Sequence, residues 1–518
     1  IKIPSSVTRI DKCAFYNCER LREVEFANDS RLQMIGKEAF ALSPIEEFTI
    51  PSQVTYIGEK AFVANKELKK FEFAIDSKLQ TINKEAFFNS SIVSIRIPSQ
   101  VTKIEEYAFC TCKKLQTIEF AADSKLTTIE RKAFQGSSIK SITIPPQVTE
   151  LKEGWCDSTK FLTDVKVSPL NKHFKTYEDK MVIGKTSSEE TNYNCLVFCA
   201  RNVKTVTIPS FIEHICSCAF DSCEQLQQVE FAPDSKLKTI DSSAFSLAPI
   251  EQITIPSQVT KIGERSFGSC QKLRRIEFAP DSRLQIIDEK AFIFIPIEII
   301  VIPSQVIKIG NGAFRACLHL QRVDFMNDSK LQIIGKEAFQ STSIETITIP
   351  SQVTQIAENA FNDCRKLVEV NFTNDSNLRT IDANAFNNTM ITSFSLPSHV
   401  TYIGKRAFYW SHLCKIVIPK ESELQIIDDE SFSDSCIENI AIPSQVTKIG
   451  EKAFANCTKI KRITFPNDSK LQSIGNDALY RSSIESLTIP SQLIELKEDF
   501  FKFVPHLNKI EVAQNNPI

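Results

Sequence analysis

The sequence predicts an α/β solenoid: a curved parallel β-sheet on the concave face, with short helices or turns on the convex face. Three observations predict it. First, the segment Ile-Pro-Ser-Gln-Val-Thr returns along the chain at a fixed distance. Its proline stands at Pro4, Pro51, Pro98, Pro145, Pro209, Pro256, Pro303, Pro350, Pro397, Pro443 and Pro490, with a step of 47 residues apart from one of 64 and one of 46. Second, each period holds two related units, Ile-Pro-Ser-Gln-Val-Thr-Lys-Ile-Gly-Glu-Lys-Ala-Phe (442–454) and Asn-Asp-Ser-Lys-Leu-Gln-Ile-Ile-Gly-Lys-Glu-Ala-Phe (327–339). Third, both run on into a strand of pattern Leu-x-x-Ile-x-Ile/Phe, as at Leu115–Phe120 and Ile344–Ile349. A chain that repeats itself at this interval stacks like units side by side.

Alternation along each strand puts its fourth and sixth residues inside and its third and fifth outside. The proline that follows cannot donate to a ladder, so it ends the pairing. Units this short force neighbouring strands to run parallel. The return passes through Ile-Gly-x-x-Ala-Phe, a short turn or helix on the outer side. Its phenylalanines, Phe15 to Phe134 and Phe220 to Phe454, form a spine, with Trp155 and Leu479 in the same slot. Each unit buries several side chains at about 1.5–3 kcal/mol each. One unit alone could not offset its ordering entropy.

These residues resemble the BspA-type leucine-rich repeat, whose hallmark is Ile-Gly-x-x-Ala-Phe-x-x-Cys-x-x-Leu-x-x-Ile-x-Ile-Pro. The resemblance recurs in every period and implies a leucine-rich-repeat solenoid. It also implies surface display, adhesion and host contact, because the family is found on bacterial surfaces and among surface antigens of parasitic mucosal protists. The Phe-Ala-x-Asp-Ser-Lys-Leu connector is most similar to the protist branch. Residues 168–202 depart from the pattern and are similar to the hairpin variant of these repeats. The expected organisation is one solenoid over 1–518: repeats over 1–167, the irregular hairpin repeat over 168–202, and repeats over 203–511. Val512 to Ile518 reads as the start of a second hairpin. The chain opens on half a strand and stops inside a unit, so both ends read as cut from a longer protein.

Composition narrows the function. Lys and Arg number 61 against 63 Asp and Glu, which lacks the basic footprint that nucleic acid requires. No apolar run reaches the roughly 18 residues that span a membrane. The six histidines lie in different units, and no catalytic or phosphate-binding motif occurs. The expectation is a non-enzymatic binding scaffold without cofactor or metal. Its partner would be a host or extracellular protein or glycan, at a cell surface or secreted. The alternative is an intracellular protein–protein scaffold that uses the same face, which unglycosylated sequons would favour.

The candidate binding residues lie on the outward strand positions. The fifth position alternates between an acidic row (Glu25, Glu72, Glu119, Glu230, Glu277, Asp324) and a threonine row (Thr49, Thr143, Thr207, Thr254, Thr348, Thr488). Ile299 and Val301 break this polar track. Apolar residues ringed by Arg275, Glu277, Arg322 and Asp324 have the make-up of an interface anchor. Phe294 and Ile295 nearby replace polar turn residues, and Phe408-Tyr409-Trp410 is a second, weaker contact point. Seven sequons, at Asn28, Asn89, Asn327, Asn374, Asn387, Asn456 and Asn467, are candidate glycosylation sites. Four of them are Asn-Asp-Ser, a combination that favours turns without any glycan.

Seven cysteines, Cys18, Cys112, Cys223, Cys270, Cys317, Cys364 and Cys457, share one slot, where the alternate units carry mostly Ser or Thr. A small side chain there can hydrogen-bond a neighbouring turn. Cysteines in every second unit lie roughly 9–10 Å apart at the strand spacing, too far for a disulfide. The cluster Cys195, Cys199, His214, Cys216, Cys218 and Cys223 is less regular. Cys195 and Cys199 are expected on one strand face, and a bridge from hairpin to turn stays open. Titration of denatured, unreduced protein checks it: all sixteen thiols reacting would exclude a bridge.

Overall fold

The computed structural model describes residues 1–186, 189–496, 500 and 502–512. It contains two compact units, Ile1–Ile250 and Glu251–Ile518. Each is a parallel-strand β-solenoid of the expected leucine-rich-repeat kind. The hairpin expected beyond Val512 lies outside the described residues.

In each unit the long strands form a row whose pairing alternates. Strands that end in Ile-Pro pair with the following strand over four residues, as Glu47↔Lys70 through Ile50↔Phe73 and Thr346↔Glu369 through Ile349↔Phe372. Strands that end in Phe pair with the next one far less, as through the single residues Lys70↔Ser94, Thr117↔Ser141 and Arg322↔Thr346. The proline explains the difference. After an Ile-Pro strand the ladder is closed by the N–H of Ala74 to Ile50 O (3.0 Å), of Met326 to Ile302 O (3.1 Å) and of Thr373 to Ile349 O (3.2 Å). After a Phe strand the matching donor would be the nitrogen of Pro98, Pro145 or Pro350, which carries no hydrogen. These pairs therefore part at their C-terminal ends. The terminal Ile50, Ile97, Ile302 and Ile349 are fully buried. The terminal Phe26, Phe73, Phe120, Phe231, Phe278, Phe325 and Phe372 are only half-buried.

The connectors lead into a second row that sequence reasoning did not anticipate, made of two-residue parallel strands. In the first unit it includes Thr81–Ile82, Lys103–Ile104, Thr128–Ile129 and Glu150–Leu151. In the second unit it runs from Lys261–Ile262 to Glu495–Leu496. The connector motifs hold themselves in place. Ser329 Oγ accepts the N–H of Leu331 at 3.4 Å, and Lys330 Nζ donates to Gln305 Oε1 of the previous Ile-Pro-Ser-Gln at 2.8 Å. Lys78 with Gln53, Lys125 with Gln100 and Lys470 with Gln445 repeat this last contact.

The outer segments are turns throughout, and no helix occurs among the described residues. The α part of the expected α/β class thus narrows to sheet and turn. Alternate N–H groups there bond sideways to the next coil, as Phe40 to Ala61 O and Leu42 to Val63 O, both at 2.9 Å. The intervening Ala39 and Ala41 bond back to Gly36 O and Glu38 O. A helix would need all of these donors along its own axis. Each outer segment also carries two left-handed residues four apart, such as Glu38 (φ 56°) with Leu42 (φ 61°) and Asn359 (φ 58°) with Asp363 (φ 59°). Such residues break a right-handed helix. Inside this row the phenylalanines stack face to face, with centroids 5.0–5.5 Å apart from Phe15 to Phe134 and 5.3–5.4 Å from Phe267 to Phe454.

The first unit is interrupted by the expected hairpin. Phe174–Tyr177 pairs antiparallel with Met181–Gly184, which pairs antiparallel with Cys195–Cys199. The last strand then rejoins the short-strand row beside His214–Ile215. Its register jumps from Val182↔Phe198 to Ile183↔Leu196, so Val197 is an extra residue. That bulge flips the alternation. The expectation that Cys195 and Cys199 share a face fails for this reason.

The left-handed turn positions give a direct test. Gly136 (φ 63°) occupies one, and its would-be Cβ would make only an ordinary van der Waals contact, 3.7 Å from Thr111 Cγ2. Gly136→Ala is expected to cost about 1 kcal/mol from backbone strain alone. Leu247→Gly, at an exposed left-handed position (φ 61°), is expected to gain a similar amount. Urea midpoints of the two variants against the parent check both signs.

Candidate functional site

The outward side chains of the long strands form an ordered surface in the second unit. Ile299 and Val301 are 52% and 46% exposed, while Ile300 and Ile302 between and beyond them are buried. Register places Ile299 beside Arg322 and Val301 beside Asp324. Within its own strand Arg322 Nε donates to Asp324 Oδ1 at 2.9 Å, and Arg275 Nε to Glu277 Oε1 at 2.9 Å. The aliphatic pair is therefore flanked by charges that are already neutralised. Exposed pairs of this kind add little to stability but set the polarity of the rim. Elsewhere on the track Lys70 pairs with Glu72 at 3.2 Å, and Gln228 donates to Glu230 at 2.7 Å. Glu25 and Glu119 are exposed on their strands.

Two clefts open where a Phe strand parts from the next strand that ends before a proline. One, of about 1240 Å³, lies between Arg322–Phe325 and Thr346–Ile349, beside Asn327 and Pro350. The other, of about 1000 Å³, lies between Glu369–Phe372 and Ser393–Ser395, beside Asp375 and Pro397. Sequence reasoning missed both. Their signal was the pairing of each strand-terminal Phe with a proline 25 residues later.

The other sequence candidates are dispersed. Phe408 belongs to the buried stack, whereas Trp410 is 59% exposed and lies flat against Tyr409. Phe294 is exposed, but Ile295 is core. The sequon residues Asn28, Asn327, Asn374 and Asn467 are exposed, and Asn89, Asn387 and Asn456 half-buried. Asn456 Nδ2 donates to Asp434 Oδ2 at 3.2 Å.

All sixteen cysteines are free thiols. In the ladder slot the thiols of Cys112, Cys317, Cys364 and Cys457 donate to Phe87, Phe292, Phe339 and Phe432 carbonyls one coil back, at 3.0–3.2 Å. Burial pushes Cys112, Cys317 and Cys457 up to about 12 and Cys364 to about 11, so they stay protonated and unreactive. Cys18 takes its place through its N–H, which donates to Ser43 Oγ at 3.1 Å. Cys270 is fully buried in the same slot.

The irregular cysteine cluster divides in two. Cys195, His214 and Cys216 line a cleft of about 960 Å³ beside the hairpin, with His173. Cys199, Cys218 and Cys223, with Cys156, surround Arg201, which is 2% exposed. Arg201 donates to Ala219 O at 2.9 Å, Cys218 O at 3.3 Å, Cys199 O at 3.4 Å and Cys223 Sγ at 3.5 Å, and lies over the Phe198 ring. The hairpin displaces the regular coil contact, and the guanidinium supplies the missing donors. Among the described residues no three His, Cys, Asp or Glu side chains converge as a metal site would require.

Beside Arg201 a carboxylate completes the repair. Cys199 N–H takes Ala219 O, and Ser158 N–H bonds to Asp221 through the side-chain Oδ2, at 2.8 Å, where Gly136 one coil earlier uses the backbone carbonyl of Asp157. Asp221 is 3% exposed and hydrogen-bonded to Asp157. Burial, and then the Asp157 charge, push Asp221 up to about 7 against the opposing pull of Arg201.

The family model described as "BspA type Leucine rich repeat region (6 copies)" matches residues 1–112, 80–180, 189–321, 285–415, 332–461 and 425–517. No curated protein matches the chain. Among solved structures it is similar to a leucine-rich cell surface protein from Faecalibacterium prausnitzii, at 21% identity and a TM-score of 0.44 over 72% of this chain and 87% of that one. It is also similar to a leucine-rich repeat protein from Eubacterium ventriosum, at 21% identity and 0.43 over 76% and 83%. The pneumococcal vaccine antigen PcpA is similar at 19% identity and 0.43 over 81% and 88%.

A pH dependence follows for the hairpin junction. An acid held above its ordinary 3.8 keeps its proton in the folded state after the unfolded chain has lost it. Its contribution to stability therefore falls as pH rises from about 4 to about 7 and is level above that. Asp221→Asn keeps an acceptor for Ser158 without the charge. Urea midpoints at pH 4.5, 6 and 8 are expected to show the variant gaining on the parent as pH rises.

Proposed function

The chain belongs to the BspA-type leucine-rich-repeat family, and on that footing we propose that it is a non-catalytic binding scaffold displayed at a cell surface. It engages a host or extracellular protein or glycan through the outward face of its long strands. One observation carries the reading: exposed Ile299 and Val301 stand on a rigid sheet between the neutralised pairs Arg275–Glu277 and Arg322–Asp324. An apolar centre with a polar rim is the anatomy of an interface anchor. A sheet held by lateral backbone bonds loses little entropy on docking. The rim pairs orient a partner more than they hold it.

The rival reading is an intracellular scaffold using the same face. It draws on sixteen unpaired thiols, because oxidising compartments favour disulfides. Immunolabelling of intact, unpermeabilised cells separates the two.

Binding of the purified chain to intact host cells, read by flow cytometry, tests the proposed surface. Ile299→Asp with Val301→Asp is expected to weaken binding at least about tenfold and leave thermal unfolding near that of the parent, since both side chains face solvent. Unchanged binding by the double variant contradicts the proposal.

A further inference from the structure

We propose that the clefts at the ends of the Phe strands bind a linear, uncharged glycan, one segment per cleft. This rests on the reading of the long-strand sheet as a binding surface and adds the chemistry of a ligand. Four features of the clefts support it.

The first is an aromatic floor. Phe325 and Phe372 line the two clefts and are half-buried, so part of each aromatic side chain reaches solvent. The second is a free acceptor. The carbonyls of Phe325 and Phe372 receive no ladder bond from Pro350 and Pro397, which have no N–H. The third is a wall of neutral hydrogen-bonding groups. Thr346, Thr348, Asn327 and Gln352 line the first cleft, and Ser393, Ser395 and Asn377 the second. An apolar ring face ringed by hydroxyl and carboxamide groups matches a sugar ring, with C–H groups on its faces and hydroxyls around its edge.

The fourth feature is charge. Along the first cleft Arg322 is paired with Asp324 (2.9 Å), and Lys330, which donates to the neutral Gln305 (2.8 Å), is offset by Asp328 on the same lining. Glu369, Asp375 and Glu421 add negative charge to the second cleft. The first cleft thus has no net charge to draw an anion, and an anionic polymer would meet repulsion in the second, where an uncharged one would not. Periodicity makes the ligand a chain. Phe325 and Phe372 are 47 residues apart, two strands along the row, or roughly 10 Å at the strand spacing. A polymer of like units can occupy both clefts at once, and linked contacts multiply in affinity.

Isothermal titration with cellobiose and cellohexaose, and with the matching mannan and chitin oligomers, tests this. At least one hexamer is expected to bind tenfold or more tighter than its dimer. Phe325→Ala with Phe372→Ala is expected to lose at least tenfold of that hexamer's affinity. Thr346→Val with Thr348→Val, which keeps strand propensity and removes only hydroxyls, is expected to lose severalfold without a change in melting. No binding of any hexamer at millimolar concentration overturns the proposal, as does binding that ignores both length and the phenylalanine variant. Cell attachment that is lost in the Ile299→Asp, Val301→Asp variant, yet unaffected by excess of all three hexamers, also overturns it while leaving the scaffold reading in place.

Discussion

The backbone of each coil finds its hydrogen-bond partners in the next coil, and this lateral satisfaction governs the rest of the structure. Buried N–H and C=O groups must be paired. Here they are paired sideways in three rows: long strands, short strands and outer turns. A coil can meet its neighbour in all three rows only if both follow the same path. Gly335 illustrates the tightness, since a Cβ there would sit 2.7 Å from the Gly310 carbonyl carbon of the coil before. That requirement explains the left-handed residues outside. Their conformation is set by the lateral bonds, and Leu42, Phe294 and Trp410 adopt it although glycine would do so with less strain.

The same constraint shows where the hairpin is expensive and how it is accommodated. Inserting Phe174–Tyr177 and Met181–Gly184 breaks the lateral match between the coils at Trp155 and Phe220. Arg201 restores donors to the carbonyls of Cys218 and Ala219, and Asp221 restores an acceptor to Ser158. A buried guanidinium and a buried carboxyl would be odd core residues elsewhere. They fit here because side chains stand in for backbone groups.

Much of this was legible in the sequence. Strand positions followed from two-residue alternation, and the phenylalanine stack from the spacing of Ala-Phe. The aliphatic patch followed from Ile299 and Val301 occupying slots that are polar elsewhere. What stayed hidden depends on three dimensions. The left-handed positions carry Glu, Lys, Leu, Asn or Trp, so no residue type marks them. The short strands are two residues long, below the reach of any periodicity. Asp221 acts across the insertion on Ser158, and Arg201 acts on carbonyls of the coil that follows it. The proline was read as ending each strand, which holds on one side only. Its effect on the following pair, and hence the exposure of Phe325 and Phe372, needed the register.

Native-state amide hydrogen exchange tests most directly whether lateral bonding rules the fold. If it does, the outer-turn amides of Phe292, Phe314 and Phe339, which donate to the next coil at 2.8–2.9 Å, exchange as slowly as the long-strand amides beside them. Exchange of these three at the rate of open loops, while the long strands remain protected, would contradict it.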